Sequence, residues 1–184
     1  MEKVHIRDIE HRVQTGDIVL FYTPFKWWKI NRYLPLIIRK VTGVRYNHAG
    51  VVVSNWGVNF INEAIGIGVA SEVVSHRLVN RNVKILRVVK ERRKSEEFTA
   101  RKANSVLGRT KYDFLGLVYQ FIWNVTGKRL WVGPRTREGA MKRFYCYEYA
   151  AWVHEHVFRD WWIVDLGLTF EVGTYVVFEG KIIK

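Results

Sequence analysis

The chain has 184 residues, of which 48% are hydrophobic and 15% aromatic, so it can bury a full core and is not a disordered chain. A single cysteine excludes an internal disulfide. The 30 Lys and Arg residues against 17 Asp and Glu residues give a net charge of +13. This charge favours polyanionic partners without choosing among nucleic acid, anionic lipid and cell-wall polymer. We expect one domain, residues 1–184.

Neither the N-terminal segment nor any apolar run carries a signal for export or membrane insertion. Residues 1–8 mix acidic and basic side chains where a signal peptide needs an apolar stretch. The longest strongly apolar run, residues 114–123, has about half of the roughly 20 residues that span a bilayer. The sequence predicts synthesis in the cytoplasm, with delivery in a phage particle or release by lysis as the route to any target outside the cell.

Apolar periodicity predicts an α+β chain in which most strands precede the helices. The strands are separated by short turns, as in antiparallel hairpins. Ser95 and Asp113 each precede a helical apolar pattern and are candidate N-caps. The predicted strands are residues 18–22, 47–54, 57–64, 68–74 and 83–89. The predicted helices run from Ser95 until Gly108 and from Asp113 to near Gly127. Residues 174–178 and 181–183 are predicted to form a hairpin around Glu179 and Gly180.

An aromatic and basic segment, residues 25–42, follows the first predicted strand. Trp27 and Trp28 lie in it among lysines and arginines, a composition typical of segments that bind an anionic membrane surface. Pro35 interrupts a continuous helix. The sequence favours the other interpretation, a short helix over residues 36–41 that packs on the sheet.

The strand pair that follows is the most informative part of the chain. If Asn55 and Trp56 form a two-residue turn, Ser54 pairs with Gly57, and this register places His48 directly opposite Glu63 on one face. A three-residue turn would move Glu63 to the other face. A histidine that faces a carboxylate across a hairpin is a candidate catalytic base.

The only cysteine begins a predicted helix. Cys146, Ala150, Val153 and Val157 recur at helical spacing and predict an inward-facing stripe with the thiol in the first turn. The positive end of a helix dipole favours thiolate over thiol, and Glu148 supports the helix start electrostatically. The alternative is a buried structural thiol, since free cysteine is among the most buried residue types.

These groups together have the composition of a thiol-dependent acyl-transfer site. Such chemistry needs a nucleophile, a base that later protonates the leaving group, and a polar group that orients the base. Cys146, His48 and Glu63 are the candidates for these three roles, and the backbone N–H of Cys146 is a natural oxyanion donor. Further oxyanion or substrate-binding candidates near these motifs are Tyr46, Tyr112 and Tyr145.

The other histidines lack a comparable context. His154 and His156 follow the thiol on the same predicted helix, two or more turns away, and cannot reach back to it. His5, His11 and His76 have no strand and carboxylate beside them. Because the histidines and the cysteine lack ligand spacing, we predict no metal and no cofactor.

The motifs, in their order, resemble the circularly permuted branch of the papain-like NlpC-type (NlpC/P60) cysteine amidases and peptidases. Unpermuted members place the cysteine helix before the histidine strand, whereas here His48 precedes Cys146. The resemblance implies a papain-like α+β core: a small antiparallel sheet, the cysteine helix and two further helices, with Cys146 as nucleophile, His48 as base and Glu63 as third member. The motifs are residues 16–20, 46–52, 62–64 with 68–69, 108–113 and 144–148.

Three functions are consistent with these observations. The first is a hydrolase that cleaves an amide bond in peptidoglycan stem peptides or a related anionic wall polymer, which suits the positive charge. The second is a lipid acyl hydrolase or acyltransferase that works at a membrane surface. The third is a noncatalytic basic module, for example in a phage particle, favoured by Tyr147 and Asn47, which replace the family's usual small residues. No sequence-specific nucleic-acid motif is present.

Overall fold

The computed structural model describes residues 2–22, 46–113, 116, 122, 126, 143–158, 170 and 173–184. Its strands are β1 (Glu2–His5), β2 (Ile18–Tyr22), β3 (His48–Asn55), β4 (Val58–Ile65), β5 (Gly68–Val73), β6 (Asn82–Val88), β7 (Lys111–Tyr112), β8 (Arg143–Phe144) and β9 (Thr174–Ile183). Its helices are α1 (Ile6–Arg12), α2 (Val74–Leu78), α3 (Glu96–Asn104) and α4 (Cys146–Val153), with a 3-10 turn at Lys90–Arg92.

Seven strands form one sheet in the order β1-β9-β6-β2-β3-β4-β5. Neighbouring strands are antiparallel except β1 and β9, which are parallel. β7 and β8 form a separate parallel pair. The fold is therefore mixed α+β, with a large sheet and four helices among the described residues, and the strands predicted from residues 18 to 89 are confirmed to within one or two residues at their ends.

Both faces of the sheet are covered, because the central strands are apolar on both sides. In β2, Ile18 and Leu20 contribute to a core that also contains all of α4 except Glu148, while Val19 and Phe21 contribute to a second core with apolar residues of α1 and α2. A strand buried on two faces reads as a continuous apolar run, which is the pattern of residues 18–22. The cysteine helix and the α1–α2 pair thus lie on opposite sides of the sheet.

The helix after Ser95 begins as predicted but ends at Asn104 rather than at Gly108. The Ser95 hydroxyl accepts a hydrogen bond from the Phe98 backbone N–H at 3.2 Å, and Glu96 and Glu97 occupy the first turn. These groups satisfy and complement the positive end of α3. The helix is fixed to the sheet by Asn62 of β4, whose side-chain amide donates to Asn104 at 2.8 Å.

The C-terminal hairpin predicted from the sequence is wrong. β9 runs continuously from Thr174 to Ile183 and pairs with β6 on one side and β1 on the other. Gly180 marks a close approach rather than a turn, because a Cβ there would lie 2.4 Å from the Glu2 carbonyl oxygen. The short, charged N-terminal strand that creates this crowding has no apolar alternation, and the sequence did not predict it.

Several predicted segments lie outside the described residues. They include residues 25–42 with Trp27 and Trp28, and most of the helix predicted after Asp113. Asp113 does accept a hydrogen bond from the Gly116 backbone N–H at 2.8 Å, as an N-cap would. None of the helices within the described ranges is long and apolar enough to cross a membrane.

Candidate active site

The β3–β4 hairpin differs in register from the prediction. Its turn is Trp56-Gly57, with φ angles of 50° and 77°, and Asn55 pairs with Val58. Positive φ at both central positions is the signature of the tight turn that matches strand twist, and Gly57 adopts it without steric cost. The predicted turn one residue earlier is wrong, and Glu63 is not directly opposite His48.

The His48 and Glu63 side chains nevertheless meet. The observed register differs from the predicted one by two residues, and an even shift keeps both side chains on the same face of the sheet. The His48 Nε2 atom is hydrogen-bonded to the Glu63 carboxylate across a diagonal of the hairpin. The register places Gly50 opposite Glu63, and a Cβ at Gly50 would lie 3.4 Å from the Glu63 Cβ and 2.7 Å from Ile61 Cγ2. The missing side chain at Gly50 therefore keeps the diagonal open.

An arginine that sequence reasoning missed completes this carboxylate site. Arg77 of α2 donates from Nε to Glu63 Oε1 at 2.5 Å and from its terminal nitrogen to Oε2 at 2.9 Å, a bidentate pair. Its guanidinium also lies 4.7 Å from the centre of the Phe21 ring, which in turn lies 5.5 Å from the His48 ring. The Val74 and Leu78 spacing was the available signal for α2, but five residues are too few for a periodic pattern.

Glu63 is held in its ionised form. Burial alone would raise the pKa of this carboxyl, since its side chain is only 5% exposed. Hydrogen bonds and charges from His48 and Arg77 outweigh burial and lower the pKa to about 2. Glu63, the hydrogen-bond partner of the His48 imidazole, is therefore a carboxylate at any physiological pH.

The cysteine lies at the first residue of α4 and is 3% exposed. The start of the helix is stabilised by Glu148, whose carboxylate accepts a hydrogen bond from the Tyr145 backbone N–H at 3.4 Å. Every residue of α4 is buried, so the helix is covered on all sides and not only along the predicted apolar stripe. Val157 falls beyond the helix, which ends at Val153.

His48 interacts with the thiol as well as with the carboxylate. Burial by itself would lower the pKa of the imidazole, but Cys146, as a charge and hydrogen-bond partner, and the Glu63 carboxylate raise it to about 9. The structure therefore brings the three predicted residues together, and the imidazole is the group that joins the other two.

His48 can contact both Cys146 and Glu63 because it is the first residue of β3, at the end of that strand. Cys146 belongs to the core on the α4 side, whereas Phe21 belongs to the core on the other side, where Arg77 of α2 holds Glu63. The imidazole is thus contacted from both sides of the sheet. Its side chain remains 19% exposed, which leaves the site open to solvent.

The candidate Tyr46 and its neighbour Tyr147 are both hydrogen-bonded into the framework. The Tyr46 hydroxyl donates to Glu179 of β9 at 2.7 Å, and its backbone carbonyl accepts from the Tyr147 hydroxyl at 2.5 Å. The Tyr147 ring stacks on Phe170 with centroids 5.9 Å apart. The bulky residue next to the cysteine is therefore used to join the cysteine helix to the segment that precedes His48.

Tyr112 and Tyr145 have different surroundings. The β7–β8 pairing places Tyr112 beside Phe144, two residues before the cysteine. Burial and the Cys146 charge raise the pKa of Tyr112, so its phenol keeps its proton and can donate it. The Tyr145 side chain is buried, and its backbone N–H serves the cap of α4.

Comparison with known proteins gives a fold neighbour but no family. No family model matches the chain, and no curated protein matches it. A solved structure, the metalloprotein yiiX from Escherichia coli O157:H7 (DUF1105), is similar with a TM-score of 0.53 and 18% identity, over 92% of this chain and 99% of that one. At this identity the likeness shows the fold alone.

These comparisons correct the resemblance drawn from the motifs. The prediction that the chain belongs to the NlpC-type (NlpC/P60) branch is wrong, because no family model matches and the structural neighbour is a DUF1105 protein. The motifs were too short to distinguish families that share strand and helix order. That neighbour is described as a metalloprotein, whereas in the described part of this chain no three His, Cys, Asp or Glu side chains are placed to hold a metal ion.

Proposed function

We propose that this protein is a cysteine hydrolase that cleaves an amide bond, built on a papain-like arrangement of cysteine helix and histidine strand. One observation carries the proposal. His48 lies between the Cys146 thiol and an ionised Glu63, which is the placement a nucleophile, its base and an orienting group require. A buried structural thiol needs neither partner.

The roles follow from the charges. The Cys146 sulfur attacks the amide carbonyl carbon and forms a tetrahedral oxyanion, while the His48 imidazolium gives its proton to the departing amine. Collapse leaves a thioester on Cys146. Neutral His48 then takes a proton from water, whose oxygen attacks the thioester and releases the carboxylate product and the thiolate. Glu63, itself held by Arg77, keeps the imidazole in position through both steps.

The oxyanion would be stabilised by two donors from different elements. The Cys146 backbone N–H at the start of α4 has no partner within the helix and points along the positive end of its dipole. The Tyr112 hydroxyl, kept protonated beside the cysteine, is the second donor. Tyr46 is less suited, because its hydroxyl donates to Glu179.

Peptidoglycan stem peptides or a related wall polymer are the proposed substrate class. The net charge of +13 raises the encounter rate with an anionic wall, and this effect weakens as salt rises. The amide specificity itself rests on the catalytic groups, since charge does not select a bond.

The test is digestion of purified cell walls with mass spectrometry of the released peptides. Native protein is expected to release new amino termini, and Cys146→Ala and His48→Ala to release none. His76→Ala is the matched control, because His76 is exposed on α2 beside Arg77 and should leave activity unchanged. Equal products from native protein and Cys146→Ala would overturn the proposal. Fatty-acid release from phospholipid vesicles without wall cleavage would move the substrate to lipid.

A further inference from the structure

A second candidate site lies at the other end of the cysteine helix. Residues of the loop after β6 and residues just beyond α4 surround a cleft of about 500 Å³, within the size range of small-molecule sites. Since the eight residues of α4 rise about 12 Å, this cleft is separate from the thiol at the helix start. Its lining residues are Glu91, Arg92, Arg93, Lys94, His156 and Val157.

The cleft is lined by more positive than negative charge. Arg92, Arg93 and Lys94 face it against one acid, Glu91. In the part of the chain that the structure describes, none of these three cations forms an ion pair with a carboxylate. Three adjacent cations without an ion pair among the described residues create a local field that attracts an anion.

Parts of the cleft are held in fixed positions. The Arg93 guanidinium donates to the Val88 carbonyl at 3.2 Å and to the Gln14 side chain at 3.4 Å. Gly173, with φ of 80°, allows the chain to pass close by, since a Cβ there would lie 3.3 Å from an Arg92 terminal nitrogen. A guanidinium that is already positioned loses less conformational entropy when it binds a planar or tetrahedral oxyanion.

His156 forms an uncharged part of this wall. Burial, Lys94 and Lys102 lower the pKa of His156, so the ring is uncharged near neutral pH. Both ring nitrogens are buried, so the ring lines the cleft without offering an exposed donor. The same positive field that keeps the ring neutral favours the anion.

We propose that this cleft binds a phosphate group, with the positioned Arg93 guanidinium and the Arg92 and Lys94 side chains as the charged contacts. A phosphate presents several oxygens to guanidinium and ammonium groups at once. The phosphate could belong to a lipid headgroup or to a soluble molecule. The site is independent of the proposed hydrolase activity.

The first experiment titrates the native protein with inorganic phosphate at constant ionic strength, followed by the NMR resonances of the His156 ring. Phosphate is expected to shift these resonances in a saturable manner, and chloride is not. The double variant Arg92→Gln/Lys94→Gln is expected to weaken phosphate binding at least tenfold. Both side chains are exposed, so the fold should tolerate the change.

The matched control is Lys3→Gln/Arg7→Gln, which removes the same charge from exposed positions. Lys3 pairs with Lys181, at the opposite end of β9 from the cleft. The control is expected to bind phosphate within twofold of the native protein. An equal loss in both double variants would show diffuse charge and overturn the proposal. An unchanged phosphate affinity in Arg92→Gln/Lys94→Gln, the cleft variant, would also overturn it. A cleft variant that lowers the melting temperature without weakening phosphate binding would overturn it as well, and would mean that the cations stabilise the negative end of α4.

A second arm identifies the source of the phosphate. Vesicles of phosphatidylglycerol and of phosphatidylcholine are compared in co-sedimentation. Binding to the anionic vesicles that competes with inorganic phosphate and is lost in the cleft variant assigns the site to lipid headgroups. Phosphate binding without such vesicle binding assigns it to a soluble phosphate compound.

Discussion

Two histidines beside opposite ends of α4 hold their protons very differently. His48, next to the first residue of the helix, has a pKa raised to about 9, whereas His154, just after its last residue, has a pKa lowered to about 3. The side chain of His48 is 19% exposed and His154 is 3% exposed, so both are largely removed from water. The difference comes mainly from their neighbours.

Burial favours a neutral imidazole at both ends. At the cysteine end, interactions with Cys146 and Glu63 outweigh burial. At the other end, burial is reinforced by His156, whose ring lies 5.9 Å away, and by Lys102. One end of the helix therefore stabilises a proton on histidine, and the other end disfavours one.

Removal of Glu63 should have the largest effect on the environment of His48. Glu63→Ala leaves Arg77 and His48 without their carboxylate in a mostly buried site, and we expect the free energy of unfolding to fall by about 3 kcal/mol. Urea denaturation measures this change. Catalytic activity should be lost as well, because the imidazole is no longer oriented.

Glu97→Ala is the control for that experiment. It removes an ion pair in which Arg101 and Glu97 are 3.3 Å apart but are 73% and 86% exposed, and its expected cost is below about 0.5 kcal/mol. Similar costs for the two variants would mean that the Glu63 pair contributes no more than a surface pair.

The pH dependence of stability should separate the two histidines. The folded-state pKa of His154 lies below the ordinary value of 6.5, so the unfolded chain binds the extra proton between pH 6.5 and about 3. Stability then falls with decreasing pH by about 1.4 kcal/mol per pH unit. For His48 the folded-state pKa is raised, so its contribution is complete below pH 6.5 and is lost as pH rises through about 9.

Urea midpoints measured across this range provide the test. His154→Leu is expected to flatten the acid limb, with a residual slope from His156 and, below about pH 4.5, from Glu63, and His48→Gln to flatten the alkaline limb. Identical acid limbs in the native protein and in His154→Leu would contradict the assignment of His154 as a buried neutral residue.

A smaller effect is expected from the hydroxyl that joins the cysteine helix to the histidine strand. Tyr147→Phe removes the bond to the Tyr46 carbonyl and should cost about 1 kcal/mol. Tyr149→Phe removes a similar bond, to the Ala103 carbonyl at 3.0 Å, at a comparable cost. Only the first variant should lower wall-cleaving activity. Equal activity in both would show that the Tyr147 bond is purely structural.

Local patterns in the sequence predicted the central strands, the Ser95 cap and the three candidate catalytic residues. The hairpin register was missed because Trp56 takes a left-handed conformation that an aromatic residue rarely adopts. His48 and Glu63 were still paired, since a two-residue shift keeps the face.

The missing parts depend on contacts between distant segments. Arg77 reaches Glu63 from a five-residue helix whose sequence has no distinctive pattern. β1 forms only because β9 accepts it as a parallel partner at Gly180. Charge partners of this kind are set by tertiary packing, and so the opposite pKa shifts of His48 and His154 could not be read from the sequence.

The ultraviolet absorbance of the Cys146 thiolate against pH tests the central claim most directly. Cys146 is the only cysteine, so the difference between native protein and Cys146→Ala isolates one group, and its burial does not limit the measurement. An ion pair with His48 predicts thiolate absorbance already at about pH 6, and its displacement to higher pH in His48→Ala. A single titration at the pH of an ordinary thiol, unchanged in His48→Ala, would contradict the account.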